Sequence, residues 1–66
     1  MLIRLNGEPH SVDGPLTIAE LLHRLRIDPR RVAVERNLIV VKKALYDDTM
    51  INDGDEIEIV NFVGGG

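Results

Sequence analysis

The chain has 66 residues, from which we expect a single domain near the lower size limit of an unassisted hydrophobic core. It contains no cysteine, which excludes a disulfide framework, a thiolate metal site and a cysteine nucleophile. A net charge of -3, one Tyr, one Phe and no Trp argue against nucleic acid as a partner, because that role needs a basic surface and aromatic side chains.

The first predicted element is a β-hairpin. Residues 2–5 are rich in strand formers, and Asn6-Gly7 follows them, a pair that readily takes the positive φ angles of a type I′ turn. The second arm is predicted from Glu8 to Val12. Pro9 cannot donate a ladder hydrogen bond, so this arm is expected at the edge of a sheet.

The start of the chain resembles no targeting segment. Residues 1–6 include the charged Arg4 and run directly into the hairpin turn. We therefore expect neither a signal peptide nor a membrane-spanning segment, and the expected location is the cytoplasm.

One helix is predicted from its start signal and its apolar period. Thr17 and Glu20 have the spacing of a capping box, in which each side chain bonds the backbone N–H of the other residue. The pattern places Arg26 in the last turn and ends the helix at Asp28-Pro29. The residues expected on its sheet-facing side are Ile18, Leu21, Leu22 and Leu25.

Three further strands are predicted. Two β-branched segments, 32–35 and 38–41, are separated by Arg36-Asn37, where Asn37 can take a left-handed conformation. A turn at 52–55 precedes the alternating segment 56–59. A hairpin, a helix and more strands predict an α+β domain with a mixed sheet packed on a single main helix, which the β-grasp fold fits best, although periodicity alone does not distinguish it from other small α+β layouts.

The charged residues and histidines predict no site of their own. The acidic residues lack the spacing of a calcium loop, so we expect a solvated surface that can attract a basic partner. His10 and His23 are each alone in their segments, with no second ligand at metal spacing, and no nucleophile or acid–base pair is evident, so neither a metal site nor a catalytic residue is predicted. The residues in question are His10, His23, Asp47, Asp48, Asp53, Asp55, Glu56 and Glu58.

The most informative segment is the run Gly64-Gly65-Gly66. We expect a folded domain over 1–63 and a flexible tail over 64–66, because glycines have no side chains to pack and lose much backbone entropy on ordering. Fully extended, three residues reach about 10 Å and can enter a channel too narrow for a Cβ atom. The tail is thus predicted to deliver the Gly66 carboxylate into a partner's active site. The alternative is a frayed end without a role.

The strand before the tail has an unusual second face. If the alternation of Ile57 and Ile59 continues, Val60 and Phe62 lie on the face away from the core and are exposed. An exposed apolar pair beside a flexible tail predicts a surface on which a partner docks. Alternatively, a twist or a bulge would bury Phe62.

Together these segments resemble the ThiS family, the ubiquitin-like sulfur carriers of thiamine biosynthesis. The resemblance covers nearly the whole chain, and the order of its segments is more specific than any one of them. The segments that carry it are 3–8 with the Asn6-Gly7 turn, Thr17-Ile18 with Leu21-Leu22, Val32 to Asn37, Asp53 to Val60, and the closing Phe62-Val63-Gly64-Gly65-Gly66.

The resemblance implies a β-grasp fold and a chemical cycle at the tail. An E1-like adenylating enzyme would use ATP and magnesium to adenylate Gly66, sulfur from a persulfide protein would convert the adenylate to a thiocarboxylate, and thiazole synthase would receive the sulfur. Gly65 would provide access to the partner's active site, Gly64 would add reach, and Val63 would join Val60 and Phe62 in docking. The carrier itself would bind no cofactor and would not be an enzyme.

Three other functions fit the same pattern. The related carrier for molybdopterin synthesis shares the tail and its chemistry but is usually longer. A ubiquitin-like protein modifier needs the same activated glycine. A β-grasp interaction domain without carrier chemistry would leave the glycines incidental.

Overall fold

The chain is represented by a computed structural model that describes residues 1–62, so Val63 and the glycines of the predicted tail lie outside the described part. The described part contains one α-helix, seven strands and two short 3₁₀ helices. The strands are β1 (Leu2–Leu5), β2 (Glu8–Ser11), β3 (Leu16–Thr17), β4 (Val32–Arg36), β5 (Ile39–Val41), β6 (Met50–Ile51) and β7 (Glu56–Asn61). The α-helix α1 spans Ile18–Arg24, and the 3₁₀ helices span Pro29–Arg31 and Lys43–Leu45.

Five strands form one mixed sheet in the order β2-β1-β7-β4-β5. The β1–β7 pair is parallel, whereas β2, β4 and β5 pair antiparallel with their neighbours. Buried residues of α1, of the five-stranded sheet, of the β3–β6 pair and of the segment after Lys43–Leu45 form one apolar cluster, which consists of Ile3, Leu16, Ile18, Leu21, Leu22, Val32, Val34, Tyr46, Ile51 and Ile57. A mixed sheet with one helix against it is the α+β, β-grasp arrangement predicted from the sequence.

The first hairpin matches its prediction. Asn6 and Gly7 have φ angles of 50° and 83°, as a type I′ turn requires, and Leu5 pairs with Glu8 across it. The second arm ends at Ser11, one residue before the predicted limit, and lies at the edge of the sheet as Pro9 indicated.

The start of α1 is capped as predicted and is also held by a distant segment. Thr17 Oγ1 accepts from the Glu20 N–H at 3.1 Å, and Glu20 Oε1 accepts from the Thr17 N–H at 2.8 Å. Glu20 has a lowered pKa because its carboxylate accepts the Thr17 backbone hydrogen bond. The next two helical N–H groups donate to carbonyls of Thr49 and Tyr46. The same part of the chain supplies β6, a strand that the sequence did not predict, and β6 pairs with β3.

The end of α1 differs from its prediction. The helix stops at Arg24, and Arg26 lies beyond it with a φ of 59°. The Arg26 N–H donates to the His23 carbonyl and the Ile27 N–H to the Leu22 carbonyl, the two bonds of a Schellman motif. The prediction relied on Asp28-Pro29 as a stop signal, but backbone hydrogen bonds end the helix earlier without a glycine. Leu25, predicted on the buried face, is only partly buried.

The second hairpin is displaced by one residue from its prediction. Arg36 belongs to β4 and pairs with Ile39, so the two central turn residues are Asn37 and Leu38. Their φ angles are 52° and 69°. Asn37 takes the left-handed conformation that the sequence indicated, but Leu38 shares it, although a bulky side chain disfavours that region.

Candidate functional site

The strand that precedes the predicted tail lies at the centre of the sheet. β7 pairs with β1 on one side and with β4 on the other. The β4 register runs from Arg36 opposite Ile57 to Val32 opposite Asn61. The end of β7 is therefore held across five residue pairs, and the chain leaves the sheet from a fixed position.

The alternation predicted for β7 is confirmed. Ile57 is completely buried and Ile59 is partly buried, whereas Glu56 and Glu58 are exposed on the other face. Val60 follows on that exposed face, with 52% of its surface accessible to solvent. An apolar side chain is thus exposed four residues before the glycine segment begins.

Phe62 is also exposed, at 45%, so the alternative in which a twist or bulge buries it is wrong. Its N–H donates to the Arg31 carbonyl at 2.9 Å, which fixes the backbone beyond the last strand residue. The Lys43 ammonium lies 4.9 Å from the centre of its ring, within cation–π range. Sequence reasoning missed Arg31 and Lys43, because only the fold brings these separate segments together.

The exposed face around Val60 combines apolar and acidic residues. Ala33 of β4 lies opposite Val60, and Glu35 lies opposite Glu58. Like charges in directly opposed positions are unfavourable in a sheet. Within residues 1–62, neither glutamate takes part in an ion pair. This face is therefore suited to a partner that offers apolar contact and positive charge.

Asn6 holds β7 from the other side. Its N–H donates to the Ile57 carbonyl at 2.9 Å, and its Oδ1 accepts from the Ile59 N–H at 2.8 Å. The side chain thus continues the β1–β7 pairing after β1 has ended in its turn. The sequence indicated Asn6 only as a turn residue, because its contact with β7 spans 53 positions.

Asp55 anchors the beginning of β7. Its carboxylate accepts from Arg36 Nε at 2.7 Å, from Asn37 Nδ2 at 3.1 Å and from the Asn52 N–H at 2.8 Å. Burial alone would raise the pKa of Asp55, but these hydrogen bonds and the Arg36 charge lower it below its ordinary value. The prediction of a solvated acidic surface is wrong for Asp55, which is only 7% exposed.

No metal or membrane element is found in the described part of the chain. No group of three or more His, Cys, Asp or Glu side chains within residues 1–62 could hold a metal ion. None of the helices in this range has the length and apolar character needed to cross a membrane. The predicted roles of Val63, Gly64, Gly65 and Gly66 concern residues outside the described range, and the docking role of Val60 and Phe62 stays a prediction.

Comparisons with known proteins agree on one family. The ThiS family model matches residues 3–66. The sulfur carrier protein ThiS of Bacillus subtilis is 44% identical over 50 residues, which are 76% of each protein. The crystal structure of a thiamine biosynthesis protein, ThiS from Geobacter metallireducens, has a TM-score of 0.87 and 39% identity, with 100% of both chains covered.

A second kind of relative is much longer than this chain. A thiazole synthase from Paramagnetospirillum magneticum is 47% identical over 66 residues, which are 100% of this chain but 20% of that protein. The chain spans the same 20% share of a second relative named thiazole synthase. A segment similar to this chain is thus part of a polypeptide with that name.

Proposed function

This chain belongs to the ThiS family, and from that membership we propose that it carries sulfur for the synthesis of the thiazole part of thiamine. The reacting group is the carboxylate of Gly66. It is adenylated, converted to a thiocarboxylate and then delivered to thiazole synthase. The carrier is a substrate of its partners and contributes no catalytic residue.

One structural observation supports this proposal above the others. The glycine segment follows β7, a central strand that is paired on both sides. Val60 and Phe62, at the end of the described part of the chain, are both exposed. A partner that binds this exposed pair would hold the start of the tail at a defined position. Docking on a fixed surface and threading of a narrow tail together place one carboxylate in a reaction centre.

The chemistry requires an activating step because a carboxylate is a poor electrophile. Attack of the Gly66 carboxylate on the α-phosphorus of ATP gives an acyl-adenylate and releases pyrophosphate. ATP and magnesium belong to the adenylating enzyme. The terminal sulfur of a persulfide then displaces AMP, and a second thiol cleaves the S–S bond, which leaves the thiocarboxylate on Gly66 and a disulfide on the donor side. Glycine suits this position because it has no Cβ atom to obstruct either attack.

The names of the relatives favour thiamine over the other carrier pathways. Two relatives are called thiazole synthase, and another is called sulfur carrier protein ThiS. A molybdopterin-type carrier and a ubiquitin-like modifier would use the same adenylate but different acceptors. An interaction domain without carrier chemistry would leave Gly66 unmodified.

Intact mass measurement tests the proposal. The full chain is incubated with an E1-like adenylating enzyme, ATP, magnesium and a persulfide donor, with a reaction lacking ATP as the control. We expect one oxygen to be replaced by sulfur, and fragmentation should place the change on Gly66. An unchanged mass, with an enzyme shown to be active on another carrier, would contradict the proposal.

A pair of tail variants tests the access role of Gly65. Gly65→Val adds a branched side chain at the predicted neck, and we expect the yield of thiocarboxylate to fall at least tenfold. Gly64→Val adds the same side chain one residue earlier, serves as the matched control and should retain most of the yield. Equal yields from both variants would show that the neck is not narrow.

A further inference from the structure

Leu38 occupies a position that neither burial nor backbone preference explains. It is 79% exposed, and its φ of 69° lies in the left-handed region that a leucine disfavours. The equivalent position of the first hairpin is Gly7, which adopts such an angle freely. A strained and exposed apolar residue points to a contact that is absent from the isolated chain.

Leu38 is the first of three consecutive exposed apolar residues. Ile39 is 71% exposed and Val40 is 65% exposed. We call these three residues the hairpin tip. Ile39 and Val40 belong to β5, the outer strand of the sheet, where natural proteins usually place charges or proline to prevent pairing with other chains. The hairpin tip thus combines exposed apolar side chains with an open strand edge.

The turn that presents the hairpin tip is held rigidly. Asn37 donates its N–H to the Glu56 carbonyl at 2.8 Å, and its Oδ1 accepts from the Glu56 N–H at 2.9 Å. Asp55 then binds both the Asn37 side-chain amide and the Arg36 guanidinium. A surface fixed before binding loses little conformational entropy when a partner covers it.

The hairpin tip lies at the opposite end of β7 from the predicted tail. Arg36, next to the turn, is level with Ile57, whereas the chain continues toward the tail after Asn61. Four residues of strand separate these levels, about 13 Å at the usual rise per residue. A partner that holds the tail can therefore contact the hairpin tip at the same time without obstructing it.

The residues between the two ends indicate the charge of that partner. Val40 lies opposite Glu35, which in turn lies opposite Glu58, so the three form one row across β5, β4 and β7. Neither glutamate has an ion-pair partner within residues 1–62. Basic side chains on a partner would relieve the repulsion between these glutamates.

We propose that the hairpin tip docks in an apolar recess of the adenylating enzyme, with basic side chains of that enzyme facing Glu35 and Glu58. The inference rests on the proposed function, since this enzyme must hold the carrier while Gly66 reacts. Basic side chains on this enzyme would complement the acidic row, whose glutamates have no ion-pair partner within residues 1–62. Leu38 is the anchor, and the acidic row sets the orientation.

The test compares two exposed leucines. Leu38→Asn removes the apolar anchor but suits the left-handed turn, so its thermal stability should equal or exceed that of the wild type. Leu45→Asn removes a leucine that is 48% exposed outside the hairpin and is the matched control. We expect Leu38→Asn to weaken binding to the adenylating enzyme about tenfold by calorimetric titration, while Leu45→Asn changes it less than twofold. Leu38→Gly is a second variant with the same expectation.

The outcomes separate this inference from the proposed function. Equal affinity of wild type and Leu38→Asn, with normal thiocarboxylate formation, overturns the docking inference alone. A wild type that neither binds the enzyme nor gains sulfur overturns both. Loss of self-association or of thiazole synthase binding, with unchanged affinity for the adenylating enzyme, assigns the hairpin tip to a different occupant and also overturns the inference.

Discussion

The two tight turns of this molecule have nearly the same backbone but different sequences. Asn6-Gly7 and Asn37-Leu38 both have two consecutive positive φ angles and both connect antiparallel strands. Asn-Gly is the pair that this turn favours, and its local preference suffices to explain it. Leucine in the second position opposes that preference and leaves its side chain in solvent.

The two turns are stabilised in different ways. In the first turn, the backbone preference of Asn6-Gly7 favours the observed conformation, and the Asn6 side chain also accepts a hydrogen bond from β7. The second turn keeps its shape through tertiary hydrogen bonds to Asp55 and Glu56, which offset the strain at Leu38. A residue that weakens the local structure without gaining burial is a candidate for recognition.

The largest effect is expected from removing the support of the second turn. Asp55→Ala deletes the acceptor of three hydrogen bonds and leaves the partly buried Arg36 without its ion pair. We expect the free energy of unfolding to fall by about 2 kcal/mol, measured by urea denaturation. Asp48→Ala, which removes an exposed carboxylate, should change it by less than about 0.5 kcal/mol. Similar losses in both variants would mean that the second turn needs no support from Asp55.

Exchanging the residue types at the second position of each turn, Gly7 and Leu38, should have a smaller effect on the free energy of unfolding. Gly7→Leu places a leucine at a φ of 83° in open space, so only the backbone opposes it, and we expect a loss of about 1 kcal/mol. Leu38→Gly relieves the equivalent strain in the folded chain but raises the conformational entropy of the unfolded chain. Because these effects oppose each other, its free energy of unfolding should stay within about 0.5 kcal/mol of wild type. A large loss from Leu38→Gly would show that Leu38 stabilises the fold and would remove the reason to assign it to binding.

The smallest effect concerns pH. The folded chain lowers the pKa of Asp55 and, through hydrogen bonds from Arg30, holds that of Asp28 at about 2. In the unfolded chain both carboxyls titrate near pH ~3.9, so protonation favours unfolding. The contribution of these two carboxylates to the free energy of unfolding should be constant above about pH 5. It should be lost as the pH falls through their lowered pKa values in the folded chain. The difference between wild type and Asp55→Ala should shrink in acid; a constant difference down to pH ~2 would contradict the role of the ionised carboxylate.

Local signals predicted the parts of the fold that local interactions determine. The Asn6-Gly7 turn, the Thr17–Glu20 capping box and the alternation of β7 were correct because short-range backbone preference and burial period agree there. The two-residue alternation of β7 also predicted that Val60 and Phe62, beside the tail, are exposed. The exposure of Val60 and Phe62 is confirmed, whereas their docking role stays a prediction.

The remaining features depend on contacts between distant segments. The second turn shifted because β4 extends through Arg36, whose side chain bonds Asp55 across 19 positions. The early helix end at Arg24 depends on a left-handed Arg26, which composition does not indicate. The exposure of the hairpin tip was missed for a related reason, since the β-branched segment 38–41 predicts a strand but does not indicate that this strand lies at the edge of the sheet.

The most direct test of the carrier assignment is the intact mass of the full chain after reaction with the adenylating enzyme, ATP, magnesium and a persulfide donor. We expect replacement of one oxygen by sulfur, located on Gly66 and dependent on ATP. An unchanged mass with an enzyme of proven activity, or sulfur located on any other residue, would contradict it.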